Sequence, residues 1–372
     1  MPGIYVHLPF CPYLCPYCDF AKWPLRASAA REYLQALHAE IERSAEQSAA
    51  TIYLGGGTPN AYPADCIADL LQRLTRRFPG AREVSIELNP ELVRAGDLQR
   101  YRAAGVTRLS VGVQSFEPDE ISVLGRRHAP QDIAPIVAAA RDCGFESLSL
   151  DLIFAVPGQT PTSWKRSVAQ ATQLEVDHIS AYGLTVEEGT PYAAWRAREP
   201  AAFCDDAREA ELYGIAIDAL AAAGYRQYEI SNFARPGHEC RHNLNYWANG
   251  EYIGLGVGAA SYRSGERSVH TRSLREYTAA ALAGGTIPQQ AERLEGLRRV
   301  GEAVMLALRT SQGVHLEDFK NRYDIDVIEK YAPVISAFTS TGLLEQVNGA
   351  VRLTAQGRFL ANEVCGAFVT FE

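Results

Sequence analysis

The chain contains no run of about 18 consecutive apolar residues, so no transmembrane helix is expected. Its first residues lack a basic stretch followed by an apolar one, so no secretory signal is expected either, and the chain reads as cytoplasmic. Positive charge is in deficit. Lys and Arg number 36 against 44 Asp and Glu, a net charge of −8. Non-specific nucleic-acid binders carry basic patches, so no nucleic-acid partner is expected. Low-complexity segments are missing, and so is any internal repeat beyond a strand–helix rhythm. Cysteine is sparse and scattered, at Cys11, Cys15, Cys18, Cys66, Cys143, Cys204, Cys240 and Cys365. In a cytoplasmic chain that scatter points to metal binding or reactive thiols rather than disulfides.

What is present is concentrated near the N-terminus. Cys11, Cys15 and Cys18 form a C-x3-C-x2-C pattern directly after the strand-like run Ile4-Tyr5-Val6-His7-Leu8. Iron–sulfur cubes are normally held by four cysteines. Three thiolates leave one iron without a protein ligand, and an open coordination site is where chemistry can occur. The competing reading is structural zinc. Zinc takes four ligands, commonly as two C-x2-C knuckles. This chain has one such knuckle and an odd thiol upstream, which disfavours zinc.

The first half alternates strand and helix. Apolar runs at Ile4–Leu8, Thr51–Leu54, Val84–Leu88, Arg108–Val113, Leu148–Phe154 and His178–Leu184 predict strands. Amphipathic stretches at Ala30–Glu46, Ala64–Arg77, Glu91–Ala104, Pro130–Asp142 and Pro161–Leu174 predict the intervening helices. This rhythm predicts an α/β fold with a parallel sheet. Beyond residue 185 the pattern loosens into a helix at Asp206–Ala223, a strand at Gln227–Ile230, a functional loop at Ser231–Ala260 and a helix at Leu274–Ala283. Helical patterns return at Arg293–Leu308, Leu316–Tyr323 and Val327–Thr341. A strand, an Asn348-Gly349 turn, a second strand and a last helix follow, which is winged-helix-like. Three domains are expected: 1–185, 186–289 and 290–372.

Several residues stand out at the ends of the strands. Gly55-Gly56-Gly57-Thr58 lets the backbone approach a ligand closely. Glu87, Gln114 and Asp151 are polar residues in or ending apolar runs, where burial is costly unless they are paired. The C-terminal strand ends are where (β/α) proteins place their sites. Arg126 suits two-point contact with a carboxylate. His242-Asn243-Leu244-Asn245-Tyr246-Trp247 sets a histidine able to ligate a metal beside two flat aromatic faces. His238 and Cys240 are rival or additional ligands there.

These segments, with Asp151-Leu152-Ile153-Phe154-Ala155-Val156-Pro157-Gly158-Gln159-Thr160 and Ile179-Ser180-Ala181-Tyr182-Gly183, resemble the oxygen-independent coproporphyrinogen III oxidase group of radical S-adenosylmethionine (SAM) proteins. The resemblance implies a partial parallel (β/α)6 barrel with a C-terminal winged-helix-like domain. It also implies a 4Fe-4S cluster on Cys11, Cys15 and Cys18, with SAM on the open iron. By position, Tyr5 would lie near the sulfonium. Gly56, with Gly57 beside it, and Glu87 would take the amino group, and Thr58 and Arg126 the carboxylate. Gln114 and Asp151 would bind the ribose, and Tyr17 and Ala181 would flank the adenine. The group has an oxidase branch and a haem-chaperone branch. The oxidase has a cysteine two places after the last cluster cysteine, where this chain has Phe20, and a longer N-terminal segment. The H-N-x-x-Y-W pattern matches the chaperone branch. The expectation is therefore haem binding through His242, Tyr246 and Trp247, and delivery to haem-accepting respiratory proteins with at most peripheral membrane contact. Coproporphyrinogen oxidation is not expected.

Overall fold

The computed structural model describes residues 1–369, so the last three residues of the expected C-terminal domain lie outside it. The six expected strands all form: β1 (Gly3–Leu8), β2 (Thr51–Gly56), β3 (Glu83–Leu88), β4 (Arg108–Gln114), β5 (Ser147–Phe154) and β6 (His178–Gly183). They pair in sequence order, each parallel to the next. Their crossovers are carried by α1 (Ala27–Arg43), α2 (Ala64–Arg77), α3 (Asp97–Ala103), α4 (Pro118–Val123), α5 (Ile133–Asp142) and α6 (Pro161–Gln173). Ile67, Leu70, Leu71 and Leu74 show the logic, recurring every third or fourth residue and burying one stripe of α2 against the sheet. Thr160 caps α6 by accepting the Ser163 N–H at 3.1 Å. The result is a partial (β/α)6 barrel.

Beyond β6 the same sheet continues. After α7 (Pro191–Arg198) and α8 (Asp206–Ala222), the short β7 (Asn232–Ala234) adds antiparallel to β6. The stretch expected as loop at Ser231–Ala260 is thus structured. It holds β7, α9 (Arg241–Trp247) and β8 (Tyr252–Leu255), and β8 pairs parallel with β1 on its other side. The sequence hides these elements because they are short and held from afar. Glu83, on β3, accepts the backbone N–H groups of Arg241 at 3.0 Å and His242 at 3.1 Å, supplying the cap that α9 lacks locally. In β8, a Cβ on Gly254 would stand 2.2 Å from the Ala260 carbonyl oxygen, so only glycine permits that approach.

An antiparallel extension follows: β9 (Ala260–Arg263), β10 (Glu266–His270) and β11 (Gln289–Arg293), with α10 (Leu274–Leu282) packed on α1. The helix expected from Arg293 therefore starts later, as α11 (Gly296–Leu308), because Gln289–Arg293 pairs with β10. The stretches Glu91–Ala104 and Pro130–Asp142 are likewise broken. Gly96 turns left-handed before α3, at φ 84°, and a 3-10 turn at Pro130–Asp132 precedes α5. A second hydrophobic cluster, from Val300 to Phe368, joins α11 to four further helices, Leu316–Tyr323, Val327–Lys330, Ala332–Ser340 and Ala361–Val369, and to a three-stranded antiparallel sheet. Among the described residues no helix is long and apolar enough to cross a membrane.

The Glu83 cap generates a test. Glu83→Ala removes a charged acceptor from two helix N–H groups and is expected to destabilise the chain by about 2–3 kcal/mol. Denaturant unfolding measures this. A loss below about 0.5 kcal/mol would mean that α9 does not depend on the carboxylate.

Candidate functional site

A cavity of about 490 Å3 opens at the C-terminal ends of the barrel strands and runs deep between them. Cys11, Cys15 and Cys18 line it together with Tyr17, Gly56, Gly57, Thr58, Glu87, Gln114, Arg126 and Asp151. The barrel thus gathers eleven of the sixteen residues singled out as cofactor or metal contacts. Burial pushes the Cys11 thiol up to about 11, against a hydrogen bond from Thr58, with the other two thiols adding to the rise. Burial raises Cys15 as well, opposed by Arg126.

The glycine run is shaped by contact. Gly56 has φ 106°, and a Cβ there would lie 2.4 Å from the His7 ring. A Cβ on Gly57 would lie 2.7 Å from the Leu8 carbonyl oxygen. Glu87 accepts the Tyr53 hydroxyl at 2.8 Å and the Gly56 N–H at 3.3 Å. Burial, with Asp151 nearby, raises its pKa to about 7. Asp151 accepts hydrogen bonds from Ser110, Ser149 and Ser180 at 2.8, 3.2 and 2.7 Å. Burial raises its pKa too, opposed by those serines. Gln114 sits in the left-handed region at φ 65°, beside a register shift between β4 and β5. Such a conformation is costly for a non-glycine residue and marks functional sites.

Arg126 donates through Nη2 to Asn89 Oδ1 and to the Gly112 carbonyl, both at 2.8 Å. Its Nε is buried with no partner among the described residues. Arg126 lines the cavity, and a guanidinium there fits an incoming carboxylate. Glu87, half-buried with no ion-pair partner among the described residues, fits an ammonium group. With three thiols on the same wall, the residues present fit a three-cysteine iron–sulfur cluster and an amino acid-bearing cosubstrate.

Other expected residues lie elsewhere. Ala181 is buried in β6, where its N–H binds the Ser231 carbonyl at 2.8 Å, and it does not line the cavity. Tyr5 faces a neighbouring pocket, its hydroxyl 3.0 Å from His7 Nδ1. His242 is 1 % exposed, with Nδ1 2.7 Å from Thr51 Oγ1 and Nε2 2.8 Å from the Tyr246 hydroxyl. Burial lowers its pKa to about 3, so the ring is neutral at ordinary pH. To meet iron it must release one of those bonds. Tyr246 lines the neighbouring pocket, and Trp247 lies under the Arg309 guanidinium at 5.3 Å. Cys240 reaches the floor of the cavity, whereas His238 lies outside, 4.0 Å from Asp177.

Sequence reasoning missed part of the cavity. Asn89, which accepts from Arg126, was not singled out. Arg108 and His178 begin strands and line the floor. Their signal was available, since a charged or polar residue opening a buried strand needs a partner.

A radical SAM superfamily model matches residues 5–171, and a model of the HemN C-terminal domain matches residues 296–360. The heme chaperone HemW of Bacillus subtilis is 35% identical, with 99% of each chain covered. The heme chaperone HemW of Mycobacterium tuberculosis is 38% identical, covering 97% of this chain and 93% of its own. Among solved structures, Escherichia coli coproporphyrinogen III oxidase (HemN), described as a radical SAM enzyme, superposes with a TM-score of 0.86 at 25% identity. That match covers 100% of this chain and 91% of the oxidase. The superfamily carries an iron–sulfur cluster and SAM.

The raised pKa of Glu87 has a measurable consequence. Its stabilising effect is present below the ordinary value of 4.5 and is lost as pH rises through about 7, where an unneutralised carboxylate is left in the fold. Without SAM, Glu87→Gln is expected to match the wild type at about pH 4 and to exceed it at pH 8 by on the order of 1–3 kcal/mol in denaturant unfolding. Equal stability at pH 8 would reveal a counter-charge already in place.

Proposed function

The chain belongs to the HemW haem-chaperone family of the radical SAM superfamily, and on that premise we propose that it binds haem and delivers it to haem-requiring proteins. The observation that carries this is similarity to the named chaperones along nearly the whole chain. Phe20, where the oxidase branch has a cysteine, and the H-N-x-x-Y-W pattern on α9 point the same way. Structural likeness to the oxidase supports the runner-up, oxidative decarboxylation of a porphyrinogen.

In this reading Cys11, Cys15 and Cys18 hold a 4Fe-4S cluster. When bound, the cluster supplies one open iron for SAM and an electron for splitting its sulfonium bond. The chain's own residues orient the cosubstrate. Glu87 and the Gly56–Gly57 backbone receive its ammonium group, and Arg126, steadied by Asn89, takes the carboxylate with Thr58 beside it. Gln114 and Asp151 address the ribose and Tyr17 flanks the adenine, whereas Ala181 and Tyr5, lying off the cavity wall, take no part in this reading. Residues 1–185 form the cofactor domain and 186–289 the extension bearing His242, Tyr246 and Trp247. The segment from α11 to residue 369, within the 290–372 expected from the sequence, forms the winged-helix-like domain that docks on α9. The acceptors are respiratory haem proteins reached from the cytoplasm, with any membrane contact peripheral.

Two measurements test this. Replacing Cys11, Cys15 or Cys18 by Ala is expected to remove most of the iron and the brown colour after anaerobic reconstitution. Zinc as the only stoichiometric metal in wild-type protein would overturn the cluster. Haem titration followed at the Soret band is expected to give one haem per chain, with no protoporphyrinogen formed from coproporphyrinogen III, SAM and a reductant. Turnover at an ordinary enzyme rate, about one per second or faster, would instead establish the oxidase.

A further inference from the structure

A second pocket, of about 470 Å3, lies beside the barrel cavity, between the strands β1, β8, β9 and β10 and the first helix of the C-terminal module. Asp19 and Phe20 line both pockets, so the two share a rim. Phe20 is 60 % exposed there, an unusual placement for a large apolar side chain. The walls are flat and aromatic. Tyr246 and Tyr252 meet edge to face at 4.6 Å, with Tyr5 on the same surface. Leu306 of α11 closes the far side.

The pocket carries charge of both signs, from Asp19, Arg267 and Arg272. Arg267 is paired with Glu302 at 2.5 Å, but Arg272 has no carboxylate partner among the described residues. Its Nη2 donates only to the Asp19 backbone carbonyl, at 2.6 Å. An apolar slot with an unneutralised guanidinium at its mouth suits a flat macrocycle with carboxylate arms. The barrel cavity cannot hold the same guest once cluster and SAM span it from Cys11 to Asp151.

We propose that this second pocket, bounded by Tyr5, Phe20, Tyr246, Tyr252 and Arg272, is the haem site, with the Tyr252 phenol as iron ligand. This rests on the haem-chaperone function proposed above. The ligand is chosen among the aromatic and imidazole groups of the lining. Both nitrogens of His7 are engaged, by the Tyr5 hydroxyl at 3.0 Å and the Ala21 carbonyl at 2.7 Å. The Tyr5 and Tyr246 hydroxyls are held by His7 and His242. The Tyr252 hydroxyl sits beside Arg267 and is held by none of the other lining groups. On binding, its proton passes to water and its oxygen coordinates ferric iron; tyrosine serves haem in this way elsewhere. Arg272 takes a propionate. His242 stands behind Tyr246 and sets that wall.

The test is titration of the anaerobically reconstituted chain with ferric haem and, separately, with iron-free protoporphyrin IX. Arg272→Glu, on an exposed position, and Val269→Trp, which fills the slot, are each expected to weaken both ligands at least about tenfold. Tyr252→Phe is expected to shift the Soret band and to weaken haem but not the iron-free porphyrin. If the wild type binds no haem, the chaperone function fails and the site fails with it. If the wild type binds haem and both Arg272→Glu and Val269→Trp bind it equally well, the site is overturned while the function stands. An unchanged Soret band in Tyr252→Phe overturns the ligand assignment.

Discussion

Glu87 and Arg126 line one cavity inside the barrel, and neither has an ion-pair partner among the described residues. Removing a charge from water costs several kcal/mol unless an opposite charge or a full set of hydrogen bonds replaces the solvent. Asp151 is close to satisfied by its three serines. Glu87 and Arg126 are only partly satisfied, and their signs match the ammonium and carboxylate of an amino acid. The scaffold around them, including the left-handed Gln114 and the glycines that accept no Cβ, therefore reads as a preorganised mould. It is destabilised when empty and relieved when filled. The barrel can carry that burden because its outer layers bury large side chains such as Trp164, Tyr33 and Tyr101 almost completely.

Helix α9 is where the separate parts of the molecule meet. Its N-terminus is capped by Glu83 from β3. His242 stacks on Tyr53 at 5.1 Å, and Tyr53 in turn holds Glu87. Tyr246 faces the second pocket. At the helix's C-terminal end, Arg309 covers Trp247, and Arg322 donates to the Ala248 and Asn249 carbonyls. A contiguous series of contacts thus runs from the Glu87 carboxylate, through Tyr53, His242 and Tyr246, to the aromatic wall, with the C-terminal module clamped on the far end. Contiguity alone does not establish coupling. It does identify the element whose position any change at Glu87 and any movement of the C-terminal module must both affect.

The parallel core was legible because its strands are near-continuous Ile, Val and Leu runs and its helices carry clean apolar stripes, as in α2. The cavity residues were legible because polar groups interrupt those runs at Glu87, Gln114 and Asp151. What stayed hidden depended on long-range partners. Helix α9 has Asn243 and Asn245 within it and a cap that lies 158 positions upstream in sequence. Strand β8 has four residues with a glycine among them, and forms because β1 offers a free parallel edge. The His242 motif announced aromatic faces and an imidazole. Its spacing of four residues along one helix places the imidazole against the Tyr246 hydroxyl, a local arrangement that composition alone does not reveal.

Phe20 links these strands of argument. In the resemblance it marks the loss of an oxidase cysteine. In the fold it forms the rim common to the two pockets and remains largely exposed, so its apolar surface is not spent on the core. A thiol at that rim could donate hydrogen or redox equivalents to a substrate beside the cluster; a phenyl ring can do neither. It can only present a dry, flat face. The same position thus withdraws reactivity from the rim and adds stacking surface to it, the exchange expected where a guest is to be held beside a cluster and released unchanged.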